Sequence, residues 1–441
     1  MTRRTDRRKP GVTRRGFLKA LPSAAAPLFV RGSALGKAGG VAASERITIG
    51  VIGTGNQGTA HARGLVGMGE AQVVAVCDPF RHKREAAKRV VESAYARART
   101  AGTFKGCAAC NDFRDLLGRP DIDAVFIASP EHWHALHSIA AAKAGKDVYC
   151  EKALATTIAE GQAMVRAVRR YGRVFQVGTQ QRSSGQFRLA CELARNGYLG
   201  KLHTIKVGDP RGWPGPKVET RPVPEGFDYD LWLGPAPWKP YFPQRVVNLK
   251  GWMLTYDYTV GFLSGWGQHE IDIAQWGAGT DHTGPVSVEG RGVVPTEGLN
   301  DTAILWHTEH TYANGLRLIF TSDNENPHGI RLEGTEGWVF VNRSGMRADP
   351  PSLLKVRPGA ADVRLYHSSD HRRDFLNCVK TRRDPVCPVE AGHHTYVICN
   401  LSDVAIRLGR NLRWDPARQR FVNDDEANRM LSRAMRPPWR L

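Results

Sequence analysis

A glycine-rich segment at residues 53–58 is the feature that most limits what this chain can fold into. It reads Gly53-Thr-Gly55-Asn-Gln-Gly58, after an apolar β-branched run at 46–52 and before a segment of helical character at 59–65. In this strand–turn–helix setting the first glycine permits a tight turn, the second lets a pyrophosphate approach the backbone, and the third allows close helix packing. We therefore predict a dinucleotide-binding turn at a helix N-terminus, formed by Gly53, Gly55, Asn56, Gln57 and Gly58.

An acidic residue twenty positions beyond Gly58 bears on which dinucleotide is bound. The apolar run 73–77 predicts a second strand, and Asp78 follows it directly. A carboxylate at this point accepts a hydrogen bond from a ribose 2′-hydroxyl and repels a 2′-phosphate. We therefore predict NAD as the cofactor. Arg81 lies three residues later and keeps NADP open as the less favoured alternative.

Strand-like and helical segments alternate as far as residue 177. Helical patterns cover 112–117, 134–144 and 156–171, and strand patterns cover 124–128, 147–150 and 174–177. This alternation predicts an α/β fold with a parallel, doubly wound Rossmann sheet. Ligands of such sheets bind at the carboxyl ends of the strands. We expect the loops that begin at Gly53, Asp78, Ser129, Glu151 and Gly178 to converge on one crevice.

The second half of the chain has a different pattern. Its strand-like runs are punctuated by glycine and proline, and they lie at 202–207, 285–294, 303–309, 316–321 and 337–341. This pattern predicts a large, open, mostly antiparallel sheet covered by a few helices, including 186–196 and 394–410. The Pro- and Trp-rich stretch 209–258 is too long for a plain connector and predicts a lid or rim.

The first 43 residues resemble a twin-arginine export signal. Thr13-Arg-Arg-Gly-Phe-Leu-Lys19 precedes a weakly apolar run at 20–30, and Val41-Ala-Ala43 offers the small residues that a signal peptidase needs. The alternative is a disordered basic arm. The export interpretation predicts the twin-arginine machinery as a partner and the periplasm or cell envelope as the location of the protein. That route carries proteins already folded, commonly with a cofactor loaded.

Charge and hydropathy exclude two other classes of protein. The formal net charge is +19, but residues 1–43 hold ten basic residues and one acidic residue, and the remaining surplus is scattered. No Lys/Arg stripe interleaved with aromatic residues is present, so we expect no nucleic-acid partner. No run approaches the ~20 apolar residues of a membrane-spanning helix, so we expect no stable membrane span.

Eight cysteines are present, and most lie in apolar strings typical of buried small hydrophobic residues. Cys107 and Cys110 form a lone C-x-x-C. Without a second pair or a nearby pair of histidines it is weak evidence for zinc. We expect a loop disulfide or two free thiols at these positions, and no bound metal.

Lys152 follows the strand 147–150 with one residue between, at the edge where a nicotinamide ring is expected. A lysine there is placed to hydrogen-bond both the nicotinamide ribose and a substrate hydroxyl. The alternative is a surface lysine at the start of a helix, and position alone does not separate the two.

Short motifs spread over residues 44–441 resemble the Gfo/Idh/MocA family of dinucleotide-dependent sugar oxidoreductases. They are GTGNQG at 53–58, VCDP at 76–79, Ser129-Pro130 with His134, Glu151-Lys152, DLWLGPAP at 230–237, GWGQHEID at 265–272, and the closing segment from Glu426-Ala-Asn-Arg429 to Pro438-Trp439. The resemblance implies a Rossmann domain at 44–180 and a substrate domain at 181–441 whose open sheet mediates homo-oligomers. It also implies that Ser129, His134, Glu151 and Lys152 contact the cofactor.

The same resemblance implies a catalytic pair, Lys152 and His269. The family's E-K-P motif maps onto Glu151, Lys152 and Ala153, and its catalytic histidine onto His269. The family's aspartate four residues before that histidine is Gly265 here. Glu270, Asp257 or Asp272 are the candidates to replace it. If 265–275 is helical, Asp272 lies three residues from His269 on the same face and can orient its imidazole.

Hydride transfer from a secondary alcohol needs a base for the hydroxyl proton and a cation for the developing alkoxide. His269 suits the first role and Lys152 the second. We also predict sugar-binding roles for Arg182, Tyr256, Tyr258 and Asp272. Trp133, Trp252 and Trp266 are candidates for stacking on a sugar ring or for packing.

These residues favour an exported oxidoreductase that acts on a sugar, polyol or glycoside. Little free NAD exists outside the cytoplasm, so the cofactor is expected to stay tightly bound. An NAD-dependent glycoside hydrolase, which uses transient oxidation followed by elimination, is the second hypothesis. A non-catalytic carbohydrate-binding protein is the third, because Gly265 and Ala153 depart from the family pattern.

Overall fold

The predicted parallel sheet forms the N-terminal part of the protein. The computed structural model describes residues 45–247 and 249–441, so the predicted export signal lies outside the described residues. The strands of this sheet are β1 (Ile47–Ile52), β2 (Ala71–Cys77), β3 (Ala108–Cys110), β4 (Ala124–Ile127), β5 (Asp147–Cys150) and β6 (Phe175–Val177). They pair in parallel in the order β3-β2-β1-β4-β5-β6, which confirms the doubly wound prediction.

Helices connect these strands. They are α1 (Asn56–Val66), α2 (Arg81–Ala94), α3 (Ala96–Thr100), α4 (Phe113–Leu117), α5 (Glu131–Lys143) and α6 (Ile158–Arg170). The helices and strands predicted for this part of the chain lie within three residues of the observed bounds. The short strand β3 and the largely exposed helix α2 were not predicted, because β3 has only three residues and α2 has few apolar positions.

The C-terminal sheet is larger and mixed. Its strands are β7 (Leu202–Asp209), β8 (Ser287–Val293), β9 (Leu305–Thr311), β10 (Arg317–Ser322), β11 (Gly329–Gly334), β12 (Gly337–Asn342), β13 (Gly345–Asp349), β14 (Leu412–Asp415) and β15 (Arg420–Phe421). They pair in the order β13-β12-β11-β7-β10-β9-β8-β14-β15. The β7–β10 pair is parallel and the other described pairs are antiparallel, as the strand pattern predicted.

Nine further helices of the described residues accompany this sheet. They are α7 (Gly185–Arg195), α8 (Tyr229–Leu233), α9 (Pro243–Val247), α10 (Leu249–Trp252), α11 (Phe262–Gly265), α12 (Gly267–Ala278), α13 (His371–Thr381), α14 (Val389–Leu408) and α15 (Asp425–Arg429), with 3₁₀ turns at Gln180–Ser183 and Pro351–Lys355. None of the described helices is both long enough and apolar enough to cross a membrane.

Two buried helices bring the two sheets together. Helix α14 packs on α6, on α12 and on β8, and α12 also packs on α7 and β7. The buried Gln268 of α12 accepts from the backbone N–H of Leu154 at 2.8 Å and donates to the carbonyl of Gly392 at 3.1 Å. These bonds fix the start of α12, which carries His269, beside the loop that follows β5.

All eight cysteines are free thiols. Cys107 is buried, and burial, with a smaller contribution from Glu92, raises the pKa of its thiol to about 12. Of the two alternatives for Cys107 and Cys110, the structure therefore has the free thiols.

Candidate active site

The glycine turn has the geometry that a bound pyrophosphate requires. Gly53 has φ +84°, a conformation that favours glycine. A Cβ on Gly58 would lie 1.8 Å from the carbonyl oxygen of Gly53, so only glycine lets α1 approach the turn. A Cβ on Gly55 would meet no protein atom within 4 Å, and this open space faces a cleft. These features fit an NAD pyrophosphate at the N-terminus of α1.

This first cleft is here called the glycine-loop cleft. It lies at the carboxyl ends of β1, β2 and β4, as strand topology predicted. Among its lining residues are Gly53, Gly55, Asn56, Gln57, Asp78, Lys83, Asn111, Phe113, Ser129, Trp133, His137 and Trp252.

Asp78 lies in this cleft directly after β2. Its Oδ2 accepts from the backbone N–H of Thr54 at 2.8 Å, and its Oδ1 accepts from that of Phe80 at 2.9 Å. The carboxylate is therefore fixed beside the glycine turn, where it fits a ribose hydroxyl and repels a phosphate. Arg81, which would favour NADP, lies instead with its guanidinium 3.6 Å from the carboxylate of Glu225.

A second cleft is here called the Lys152 cleft. It shares Asn56, Gln57, Ser129 and Trp252 with the glycine-loop cleft. Its other lining residues include Glu151, Lys152, Gln180, Trp213, Met253, Phe262, Trp266, His269 and Arg343. Residues from both halves of the chain, more than 100 positions apart, thus line one cavity.

The ammonium group of Lys152 lies at the boundary between the two halves. Its Nζ donates to the carbonyl oxygen of Gly265 at 2.5 Å. Gly265 is the position at which the family's aspartate was expected, so a backbone oxygen contacts the lysine there. The peptide bond from Lys152 to Ala153, the position of the motif's proline, is cis.

Glu151 is buried and held as a carboxylate by its neighbours. Burial acts to raise its pKa, but hydrogen bonds and charges nearby, led by His61, lower the pKa to about 2. The donors to Oε1 are His61 Nε2 at 2.8 Å, Gln57 Nε2 at 2.8 Å and Gln180 Nε2 at 3.0 Å. Arg372 donates to the other ring nitrogen of His61, Nδ1, at 3.1 Å. The network fixes Gln57 and Gln180 at the floor of the Lys152 cleft.

His269 lines the same cleft and is only 4% exposed. Burial lowers the pKa of its imidazole well below 6.5, and the positive charges of Lys152 and Arg343 lower it further. The ring is therefore neutral at physiological pH and can accept a proton. Its Nδ1 has no hydrogen-bond partner among the described residues.

The predicted orienting role of Asp272 is wrong, because this carboxylate pairs with Arg182. The guanidinium of Arg182 donates to both oxygens of Asp272, at 2.7 and 2.8 Å, and both side chains are buried. Neither residue lines either cleft, so a direct sugar contact for Arg182 and Asp272 is also not supported. Glu270 and Asp257 do not replace the absent aspartate either: Glu270 binds Gln181 and His328, and Asp257 lies 3.8 Å from Lys239.

The two predicted tyrosines lie outside both clefts. The ring of Tyr256 lies between the guanidinium groups of Arg407 and Arg433, each 3.6 Å from its centroid. Tyr258 is fully buried and packs its ring edge to face against Trp232, with centroids 5.1 Å apart. Both residues lie at the end of the Pro- and Trp-rich stretch 209–258, where they pack against these groups and do not line either cleft.

His134 links two loops and does not line either cleft. Its two ring nitrogens lie 2.7 Å from the carbonyl oxygen of Ala153 and 2.8 Å from that of Ser129. The structure therefore gives His134 a positioning role for cofactor-binding loops.

The sequence interpretation missed Gln180, Trp213 and Arg343. Gln180 lies close behind β6, where the strand-end rule could have found it, whereas Arg343 lies in a turn between β12 and β13 that gave no signal.

A dinucleotide cleft that opens into a cavity with an ammonium and a neutral imidazole defines a dinucleotide-dependent oxidoreductase. Comparison with known proteins gives the family. Residues 47–179 match the model described as "Oxidoreductase family, NAD-binding Rossmann fold", and residues 206–441 match "Oxidoreductase family, C-terminal alpha/beta domain". The chain belongs to the Gfo/Idh/MocA oxidoreductase family, which confirms the predictions of family, fold class and NAD as cofactor.

The chain is similar to several proteins of this family. The "Uncharacterized oxidoreductase YrbE" of Bacillus subtilis is 25% identical over 83% of this chain and 96% of its own length. The "Myo-inositol 2-dehydrogenase" of Thermotoga maritima is 31% identical over 41% of this chain and 47% of its own length. A solved levoglucosan dehydrogenase in complex with NADH and levoglucosan has the same fold, with a TM-score of 0.60 and 20% identity over 83% of this chain and 99% of that one.

Proposed function

We propose that this protein oxidises a secondary hydroxyl of a cyclic sugar, polyol or glycoside with a tightly bound NAD. The observation that carries the proposal is the presence of Lys152 and His269 in one cleft, next to residues shared with the glycine-loop cleft. The named activities of relatives, which include inositol and levoglucosan dehydrogenases, support a polyhydroxylated ring as substrate.

Bound NAD supplies an acceptor for the hydride that leaves the alcohol carbon. The neutral imidazole of His269 takes the proton of the hydroxyl as the C–O bond gains double-bond character. The ammonium of Lys152 stabilises the negative charge that develops on that oxygen, and the carbonyl of Gly265 holds the lysine in place. The hydroxyl proton and the hydride together account for the two hydrogens that the substrate loses.

Aromatic faces and a cation supply the recognition of a ring-shaped substrate. Trp213, Trp252 and Trp266 line the Lys152 cleft, and the guanidinium of Arg343 lies 5.1 Å from the Trp266 ring. Apolar faces of sugars pack on aromatic rings, while hydroxyls need polar partners at the edges. Gln180 and Arg343 are placed at the wall of the cleft for that second role.

Denaturation and mass spectrometry of the purified protein test the cofactor, and a glycan library tests the substrate. We expect NAD to be released, and we expect the reduced-nicotinamide absorbance of the intact protein to rise with a substrate and to fall with a keto-sugar. The Lys152→Ala variant serves as the chemical control. Cleavage of nitrophenyl glycosides without an added electron acceptor would assign the chain to glycoside hydrolysis instead. Purified protein that binds neither NAD nor NADH would overturn the proposal.

We also propose that the protein is exported by the twin-arginine route to the periplasm or cell envelope and forms homo-oligomers. The support for export is the sequence of residues 13–19 and the small residues at 41–43. Replacement of Arg14 and Arg15 by lysine should retain the protein in the cytoplasm, as cell fractionation and immunoblotting would detect. Light scattering of the processed chain measures the number of chains in the oligomer.

A further inference from the structure

Three potential metal ligands from separate elements meet behind the Lys152 cleft. Asp209 is the last residue of β7, Glu270 lies in the first turn of α12, and His328 directly precedes β11. One ligand atom from each lies within 4.8 Å of the other two. The Nε2 of His328 is 3.0 Å from Oε1 of Glu270 and 3.7 Å from Oδ1 of Asp209.

The acids of this cluster are buried, and one of them has no hydrogen-bond partner. Asp209 is 0% exposed, and neither of its carboxylate oxygens has a hydrogen-bond partner among the described residues. Glu270 is 1% exposed. Unpaired buried carboxylates are costly, because the protein interior does not replace the water that solvates them. The Asp209 carboxylate therefore needs a hydrogen-bond or ionic partner that the described residues do not supply.

A second layer of hydrogen bonds fixes Glu270 toward the cluster. Gln181 donates to Oε2 of Glu270 at 2.9 Å, which leaves Oε1 facing His328. Arg343 in turn donates to the side-chain oxygen of Gln181 at 3.0 Å. Metal ligands in proteins are commonly oriented by such outer partners.

The charge of the cluster also calls for a cation. Two carboxylates this close hold either a shared proton or a positive ion.

We propose that Asp209, Glu270 and His328 bind one divalent first-row transition metal ion, of the class of Mn²⁺ or Zn²⁺. Ligand atoms about 2.1 Å from one ion lie about 3–4 Å apart, which the two distances from His328 match. Two carboxylates and one imidazole suit these ions. This proposal departs from the expectation of no metal, which rested on spacing along the sequence and so did not consider residues 61 and 58 positions apart.

The proposed ion lies next to His269, because Glu270 is the following residue of α12. It acts as a structural clamp that joins β7, α12 and the turn before β11 at the wall of the Lys152 cleft. The proposal does not depend on which alcohol is oxidised.

Metal content measured by mass spectrometry tests the site. Protein purified without a polyhistidine tag is stripped with a chelator, incubated with Mn²⁺ or Zn²⁺, and desalted. We expect about one equivalent per chain and a higher Tm after loading. Asp209→Asn should lower the bound metal at least about tenfold and abolish the Tm increase. Asp323→Asn is the matched control, because Asp323 lies near the cluster but is exposed and should keep full binding.

Two results would overturn the assignment. One is a stripped wild-type chain that, although folded by circular dichroism, takes up neither ion and shows no change in Tm. The other is Asp209→Asn protein that retains a full equivalent. In either case the cluster is a pair of acids that share a proton. Neither result depends on turnover, so the oxidoreductase proposal is tested separately.

Discussion

The ammonium of Lys152 donates a 2.5 Å hydrogen bond to the backbone carbonyl of Gly265. This contact joins the loop after β5 of the Rossmann sheet to the helix that precedes His269. A backbone oxygen thus accepts from the lysine at the position where the family's aspartate was expected. Since a carbonyl carries no proton and cannot titrate, the acid–base step rests on His269.

Lys152→Ala should lower kcat by about 10²–10³-fold, because the charge that stabilises the developing alkoxide is removed. The Tm should stay close to that of the wild type, since Lys152 is only partly buried. Steady-state kinetics with a substrate from the library measure the effect. Lys143→Ala, at an exposed position, is the control and should retain wild-type turnover.

His269→Gln should lower kcat by about 10²–10⁴-fold through loss of the base. In the wild type, kcat/KM should fall only when the pH drops through the pKa of His269, which burial and then Lys152 place well below 6.5. On the acid side of the profile, kcat/KM is therefore expected not to change with pH near neutrality. A wild-type profile whose acid limb lies above pH 7 would contradict the assignment of His269 as the base.

Gly55→Ala should weaken NAD binding at least about tenfold while leaving the Tm unchanged. The added methyl group meets no protein atom within 4 Å but occupies space that faces the glycine-loop cleft. Calorimetry with NAD and thermal denaturation separate the two effects. Gly185→Ala, which also meets no atom and lies outside both clefts, should bind NAD normally.

Glu131→Gln should flatten the pH dependence of stability. Burial raises the pKa of Glu131 to about 7, so the folded protein holds a proton that the unfolded chain, near the ordinary value of 4.5, releases. This contribution is complete below pH 4.5 and is lost as the pH rises through about 7, a change of at most about 3 kcal/mol. Denaturant unfolding at pH 5 and pH 8.5 measures it. The exposed Glu225→Gln should leave the pH dependence as in the wild type.

Asp272→Asn should destabilise the protein by about 3 kcal/mol, because the buried Arg182 loses its bidentate carboxylate partner and keeps only Asp281, 3.3 Å away. The KM of the substrate should stay unchanged at temperatures where the variant is folded, since neither residue lines a cleft. Unfolding titrations and kinetics together check this. Glu219→Gln removes an exposed partner of Arg221 and should cost less than about 1 kcal/mol. A large rise in KM without loss of stability would restore the sugar-binding role.

The structure confirmed the sequence predictions that rest on local order. The glycine turn sets its own backbone conformation, and alternating apolar runs specify a parallel sheet. Topology then places strand-end residues such as Asp78 and Ser129 in one crevice. For the turn and for each strand or helix, the interacting partners are close neighbours along the chain.

Predictions that depended on side-chain direction across the fold were less successful. Asp272 is at the right spacing from His269, but α12 is buried on all sides and Arg182 from another element takes its carboxylate. Arg343 and Trp213 reach the Lys152 cleft from loops without a recognisable pattern.

The sequence by itself therefore determined the α/β Rossmann fold and the NAD-binding turn, and its resemblance to the Gfo/Idh/MocA family pointed to Lys152 and His269 as the reactive candidates. Only the tertiary structure decided which acids face which bases, and it brought Asp209, Glu270 and His328 together. The physical reason is that burial makes each charged group depend on a partner that is distant in sequence. Spacing along one helix or strand does not specify that partner.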